Sequence, residues 1–504
     1  MQIARSVLSN WFATAATLAV GFFLSPFIVH HLGNDAYGVW VLSVSSVNYM
    51  VILDLGMASS VIRFVSKGHA TGDHQLASDS LSAVLWVRLQ ISAVILLLTG
   101  VLSAVFPLFE KIPPNLTTDC RKALLIIGLT TAISMTCGVF SSTLSALHRY
   151  DLRSSVALVQ LAIRVVGVVT VLRTGHGIVA IALCELSAAV VGNGLLAIVA
   201  RHSYPQLVIR LSKPAREVLR SIWSYSAYAF LVSVAVQLVY QTDNLVVGAF
   251  VSASAVTFYS IGNSLCRYTD QFVAAMTTTF TPAASTYEAS GDTSSLRSLY
   301  FNGTRATMVF SLPIVITLIL RGHSFIGVWM GTQYSHVSGT VLAILAVALT
   351  FSLQNMTAVA IAFGVEKHKI VAKWAIAEGI ANLALSILLA HTRLGMYGVA
   401  VGTLIPSLFV QLVLWPRYIF RLVNVTYVQV FRNVWGPVFL CAAPFAAASY
   451  AVDVKFPVHH VLTFFAQTAA LLPIFAVAIG LVYRDNVKRQ ILPRVRSHFY
   501  ANAR

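Results

Sequence analysis

Arg267 and Asp270 lie three residues apart in ASAVTFYSIGNSLCRYTDQFVAAMTTTFTP (253–282). The stretch is long enough to cross a bilayer. A charge at the bilayer centre costs roughly 2.5–3.5 kcal/mol on insertion scales, so such a pair faces protein or a wet cavity. On a helix the two side chains share one face. Thr277, Thr278 and Thr279 continue the polar stripe. The pair either serves a ligand or is a buried structural pair.

Other ionisable groups sit inside apolar runs: Arg88, Arg164, Glu185, Asp243 and Glu378, with Arg63 at a run's end. Arginine is suited to phosphate, because its planar fork binds two oxygens and stays charged at any relevant pH. Gln241, Asn244 and Asn263 offer neutral hydrogen-bonding groups at similar depth, as a sugar requires. Each assignment has a structural rival. Arg88 can snorkel to the headgroups, and Arg63 can anchor in the inner leaflet. Asp270, Asp243, Glu378 and Glu185 can pair with the arginines or carry a coupling proton. Asp54, two residues before Gly56, can simply mark a helix break.

The elements that carry these groups are membrane spans. Of 504 residues, 57% are hydrophobic and only 10% charged, against about 25% charged in soluble domains. Mean hydropathy is +0.79. The expected fold is an all-α polytopic membrane protein with about fourteen transmembrane helices. The spans begin with 7–30 and 37–62 and end with 433–451 and 459–483.

Most of the 34 lysines and arginines fall in alternate loops and the C-terminal tail. Lys111, Arg121, Arg321 and a few others are assigned to the opposite, outer loops. Lys and Arg favour the cytoplasmic side, so both termini are expected there. The net charge of +17 then reflects topology and attraction to membrane lipids, not nucleic acid. The five cysteines show no metal or disulfide spacing. No cofactor, no metal and no catalytic residue is expected.

The chain also repeats itself. FIVHHLGNDAYGVW (27–40) resembles LVVGAFVSASAVTF (245–258), TGHGIVAIA (174–182) resembles GMYGVAVGT (395–403), and LHRYDLR (147–153) resembles VEKHKIV (365–371). All three pairs lie about 220 residues apart, which is six spans. An even number of spans relates the copies by an axis along the membrane normal. The expected division is a six-helix lobe at 1–200, a basic cytoplasmic linker at 201–220, a second lobe at 221–421, and two extra helices with a basic tail at 422–504.

LGNDAYGVWVL (32–42), followed by LDLGMASSVIRFVSKG (53–68), resembles the polysaccharide flippases of the multidrug/oligosaccharidyl-lipid/polysaccharide exporter superfamily. Leu32, Gly33, Tyr37, Gly38, Val39 and Trp40 match the turn that opens their second helix. Asp54, Leu55, Gly56 and Arg63 match the segment that follows. Asp243, Gly248 and Tyr259 fit the counterpart in the second copy. The resemblance implies alternating-access movement of polyprenyl-pyrophosphate-linked oligosaccharide across a bacterial inner membrane. It implies membrane lipids as surroundings, and a glycan polymerase and a chain-length regulator as partners. Two other classes remain open. A multidrug exporter would want an acidic cavity for organic cations. A membrane glycan polymerase or ligase would want a sizeable outer loop, and the outer loops here are short.

Overall fold

The computed structural model describes residues 2–211, Pro214 and 216–482. Among these, every regular element is helical. The helices are α1 (Gln2–Asn48), α2 (Met57–Thr71), α3 (His74–Phe109), α4 (Thr117–Ala146), α5 (Tyr150–Arg173), α6 (Ile178–Ser203), α7 (Arg216–Phe250), α8 (Ala253–Thr277) and α9 (Phe280–Ala289). They continue as α10 (Thr293–Trp329), α11 (Thr332–Gly364), α12 (His368–Ala390), α13 (Met396–Phe409), α14 (Trp415–Leu422), α15 (Tyr427–Val430), α16 (Gly436–Lys455) and α17 (Val461–Val482).

Among the described residues, eleven helical stretches are long and apolar enough to cross a membrane. The difference from fourteen has identifiable causes. Ser9–Asp54 is a single run of 46 residues, about 69 Å at 1.5 Å per residue, roughly twice a bilayer core. Gly33 breaks it, with φ 76° and ψ 170°, so two expected spans share one helical run. Of the other two expected spans, 254–283 falls on α8, whose Asn263, Arg267 and Asp270 make it too polar to count among the eleven, and 221–249 falls on α7, much of which that count does not cover.

The outer surface confirms the solvent for which the chain is built. Leu97, Leu462 and Val477 are 69%, 82% and 61% exposed. Large apolar side chains at this density cover a surface that meets acyl chains.

The chain divides into two compact units. One comprises Met1–Ser260 with His368–Gly402, the other Ile261–Lys367 with Thr403–Arg504. In the first, α1 packs on α4, α5 and α7, and α12 packs on α7. One buried cluster joins Met57, Val61 and Val65 of α2 to Leu81 and Val84 of α3 and Val139 of α4. Tyr204 and Leu207, just after α6, complete it. Both belong to the basic linker expected at 201–220, whose first three residues continue α6. Val208 N donates to Ser78 Oγ at 3.0 Å and Arg210 N to Ser82 Oγ at 3.0 Å. Two residues of extended chain advance about 6.6 Å, close to the roughly 6 Å between helical residues four apart. Strap and helix therefore keep register. Ser212, Lys213 and Ala215 of that linker lie outside the described residues.

In the second unit, α10 packs on α11, α16 and α17. Arg321, expected in an outer loop, is instead wholly buried within α10. Its Nε donates to Asp453 Oδ1 at 3.2 Å, and Ser324 Oγ donates to Asp453 Oδ2 at 3.0 Å. Gln467 takes a further guanidinium bond. The Phe464 ring lies 4.7 Å from Arg321 Cζ. One cation thus ties α10 to both α16 and α17.

Local backbone geometry recurs along the chain. Ala-Thr-Gly-Asp at 70–73 returns as Ala-Ser-Gly-Asp at 289–292. Gly72 and Gly291 have φ 73° and 67°. Asp73 and Asp292 then cap the helices that follow, accepting from Leu76 N and Ser295 N. His148 and Glu366 both take left-handed φ, 57° and 58°. The next amides donate five residues back, Arg149 N to Leu144 O and Lys367 N to Ala362 O. Gly175 and Gly395 also share positive φ and a bond three residues back.

Candidate functional site

The intramembrane charges of the first unit are placed by five helices. Asp54 ends the 3-10 turn after α1, and Arg88 stands inside α3. Arg88 Nη2 meets Asp54 Oδ1 at 2.6 Å, with only 4% of the arginine side chain exposed. Asp54 is therefore an ion-pair partner as well as the residue before a turn. Arg88 does not snorkel. Gly138 of α4 makes room for it, since a Cβ there would lie 2.9 Å from Arg88 Nη1.

Arg164 of α5 and Glu185 of α6 form a second pair, Nε to Oε1 at 2.6 Å. Its side chains are 44% and 24% exposed. Unlike the Arg88 pair, this one is partly exposed, on the arginine side, while Glu185 Oε1 is itself buried. Arg164 is the less desolvated partner, so its guanidinium keeps a face open to a second group.

A polar chain occupies α7 and its neighbours. Asp243 is buried and accepts from Tyr259 Oη at 2.7 Å and from Asn382 Nδ2 at 3.2 Å. Ser386 Oγ in turn donates to Asn382 Oδ1 at 2.8 Å. Both carboxylate oxygens of Asp243 thus receive neutral donors. On the same turn Gln241 and Asn244 are buried, and Asn244 Nδ2 donates to Ser45 Oγ at 3.0 Å. Tyr49 of the 3-10 turn bonds to Thr242. Glu378 is half-buried on α12. Arg63 is exposed on α2, its Cζ 5.9 Å from the Phe64 ring.

Of the candidates in the second unit, Asn263, Arg267 and Asp270 are all half-buried on α8. Asn355 Nδ2 donates to Gln411 O at 2.8 Å. Among the described residues, no group of three or more His, Cys, Asp or Glu gathers as metal ligands. Sequence reasoning missed Arg321 as a buried cation and Asp453 as its partner. It also missed Glu110, which caps the C-terminus of α3 and is buried against Gly248 of α7 with Oε2 unbonded.

Among the described residues, a helix-only architecture, an apolar exterior and paired charges inside long apolar helices define an integral membrane protein. Residues 31–339 match the family described as polysaccharide biosynthesis protein. The chain belongs to that family. Over 449 residues, 88% of each chain, it is 24% identical to the uncharacterized membrane protein EpsK of Bacillus subtilis. It is 21% identical over 428 residues, 85% of each chain, to the probable low-salt glycan biosynthesis flippase Agl15 of Haloferax volcanii. Among solved structures, the lipid II flippase MurJ in an inward closed conformation matches with a TM-score of 0.75 at 14% identity. That match covers 96% of this chain and 99% of the other.

Proposed function

We propose that this protein flips a polyprenyl-pyrophosphate-linked oligosaccharide across a bacterial inner membrane for cell-surface polysaccharide assembly. Family membership supports the glycan. The exposed guanidinium of Arg164, in its pair with Glu185, carries the phosphate reading. In this reading Arg164 releases Glu185 and takes a pyrophosphate oxygen, and Arg267 supplies a second guanidinium. Arg88 and Arg63 assist nearer the inner side. Gln241, Asn244 and Asn263 bond the sugars. Asp243, Glu378, Glu185 and Asp270 hold the cations when no substrate is bound, or carry the coupling proton. The lobes at 1–200 and 221–421 alternate access, while the polyprenyl tail stays in lipid.

Both termini are cytoplasmic in this scheme, and the protein performs no catalysis. A glycan polymerase and a chain-length regulator, in the lipopolysaccharide O-antigen or an exopolysaccharide pathway, would take the product. The exporter alternative needs an acidic site for organic cations. The first expected span, 7–30, carries no acidic residue, which disfavours it, while the two deep arginines of the first lobe already hold Asp54 and Glu185.

The direct test is Arg267→Ala and Arg164→Ala in cells whose surface glycan depends on this chain. Both variants should lose most export while keeping normal protein level and topology. Wild-type export in both would remove the arginines from the mechanism. Tight binding of organic cations, with none of lipid pyrophosphates, would favour the exporter.

A further inference from the structure

The second unit contains a cavity of about 470 Å³ that the proposed translocation does not use. This lies within the size range of small-ligand sites, about 300–1,000 Å³. Ser294, Arg297, Ser298, Phe301, Asn302 and Arg305 line it from a single face of α10, at spacings of three and four. Arg432 and Asn433 close it from the other side, with Pro437 and Val482 at its edge. Three guanidiniums therefore converge, and no lining residue is acidic.

The guanidiniums are fixed by backbone carbonyls. Arg297 Nε donates to Val423 O at 3.2 Å, and its Nη2 bonds to Asn424 O. Both carbonyls belong to the two residues that follow α14. Arg305 Nη2 donates to Asn433 O at 3.1 Å. A carbonyl orients a guanidinium without neutralising it, so Arg297 keeps its formal charge. Arg432 is exposed and bonds to nothing among the described residues. The backbone that presents Arg432 and Asn433 is a π-helical turn, Phe431–Trp435. Such turns are rare and concentrate at functional sites.

The cavity's rim is continuous with an apolar helix surface. Phe431, Leu440, Leu481 and Val482 are 61%, 70%, 68% and 45% exposed. A ligand seated here would place an anionic head on the arginines and apolar chains along α16 and α17. Basic pockets between spans suit anionic lipid headgroups.

We infer that this cavity binds the phosphate headgroup of an anionic membrane lipid, with the acyl chains lying along α16 and α17. This goes beyond the translocation reading and does not rest on it. The full-length protein, purified in detergent, is titrated with phosphatidylglycerol, phosphatidylcholine and inorganic phosphate. Phosphatidylglycerol should bind saturably and more tightly than phosphatidylcholine. Each arginine near an anionic surface contributes enough for about a fivefold change in affinity. Arg432→Gln should therefore weaken phosphatidylglycerol by about fivefold, and Arg297→Gln with Arg432→Gln by about 25-fold. Phosphatidylcholine binding should not change. Arg432 is exposed and unbonded, so its variant tests the site without disturbing the fold. Unchanged phosphatidylglycerol affinity in both variants overturns the site. Inorganic phosphate binding as tightly as the lipid, with the same losses, would show a soluble-anion site and overturn the lipid assignment.

Discussion

At the scale of single residues, charge at membrane depth is held by matched partners. Losing one partner of the Asp54–Arg88 pair would leave a buried ion uncompensated, at a cost of about 3–5 kcal/mol. Asp54→Asn or Arg88→Gln alone should therefore lower the thermal midpoint in detergent sharply. The double variant should recover part of the loss. Additive losses would mean that the two side chains do not depend on each other. Glu110 makes a different prediction. It lies between two spans, and burial pushes its carboxyl from the ordinary 4.5 up to about 8. A raised pKa favours the folded state while the carboxyl keeps its proton. That contribution is complete below about 4.5 and is lost as pH rises through about 8. Glu110→Gln should flatten the fall in stability across this window. Identical pH profiles for variant and parent would place Glu110 in water. Neither case could be read from local pattern. Asp54 and Arg88 were both visible as charges, but their pairing joins a turn to a later helix, and no spacing rule encodes that. Arg321 looked like the end of an apolar run, whereas α10 continues past it to Trp329. Its desolvation is offset by Asp453 on a helix far along the chain.

At the scale of elements, most of the architecture was legible, because apolar run length is dictated by bilayer thickness. The 3-10 turn after α1 was not, and neither was the close packing at Gly38. A Cβ at Gly38 would lie 1.8 Å from Ala253 O, whereas at Gly100 it would meet nothing within 4 Å. Gly38→Ala should therefore cost about 1–3 kcal/mol by overpacking, and Gly100→Ala should not. Thermal unfolding of the two variants checks this, and equal midpoints would contradict the close approach. The strap after α6 is held by two serine hydroxyls. Ser78→Ala with Ser82→Ala should lose about 0.5–1.5 kcal/mol per bond. It should also speed proteolysis around 204–211, and unchanged cleavage would mean that the strap stays docked without them.

At the scale of the whole molecule, the repeat seen in three short sequence matches gains a conformational counterpart. A left-handed turn and five-residue-back bond at 144–149 recurs at 362–367. Glycine followed by a capping aspartate recurs at 72–73 and 291–292. Turns of this kind are set by steric rules within a few residues, so they persist after side chains have diverged. This supports the proposed two copies. If the copies are parallel, single cysteines at Thr71 and Ser290 should both label from the cytoplasmic side, and cysteines at Thr174 and Thr392 from the other. Labelling of Thr71 and Ser290 from opposite sides would exclude a parallel repeat.

The break in α1 has a chemical corollary. At Gly33 nothing lies within 4 Å of where a Cβ would stand, so the restriction there is one of handedness, not of room. The φ 76°, ψ 170° combination is closed to left-handed amino acids and open to their mirror images. A semisynthetic chain carrying D-alanine at this position should fold as the parent does, and one carrying the L-enantiomer should not.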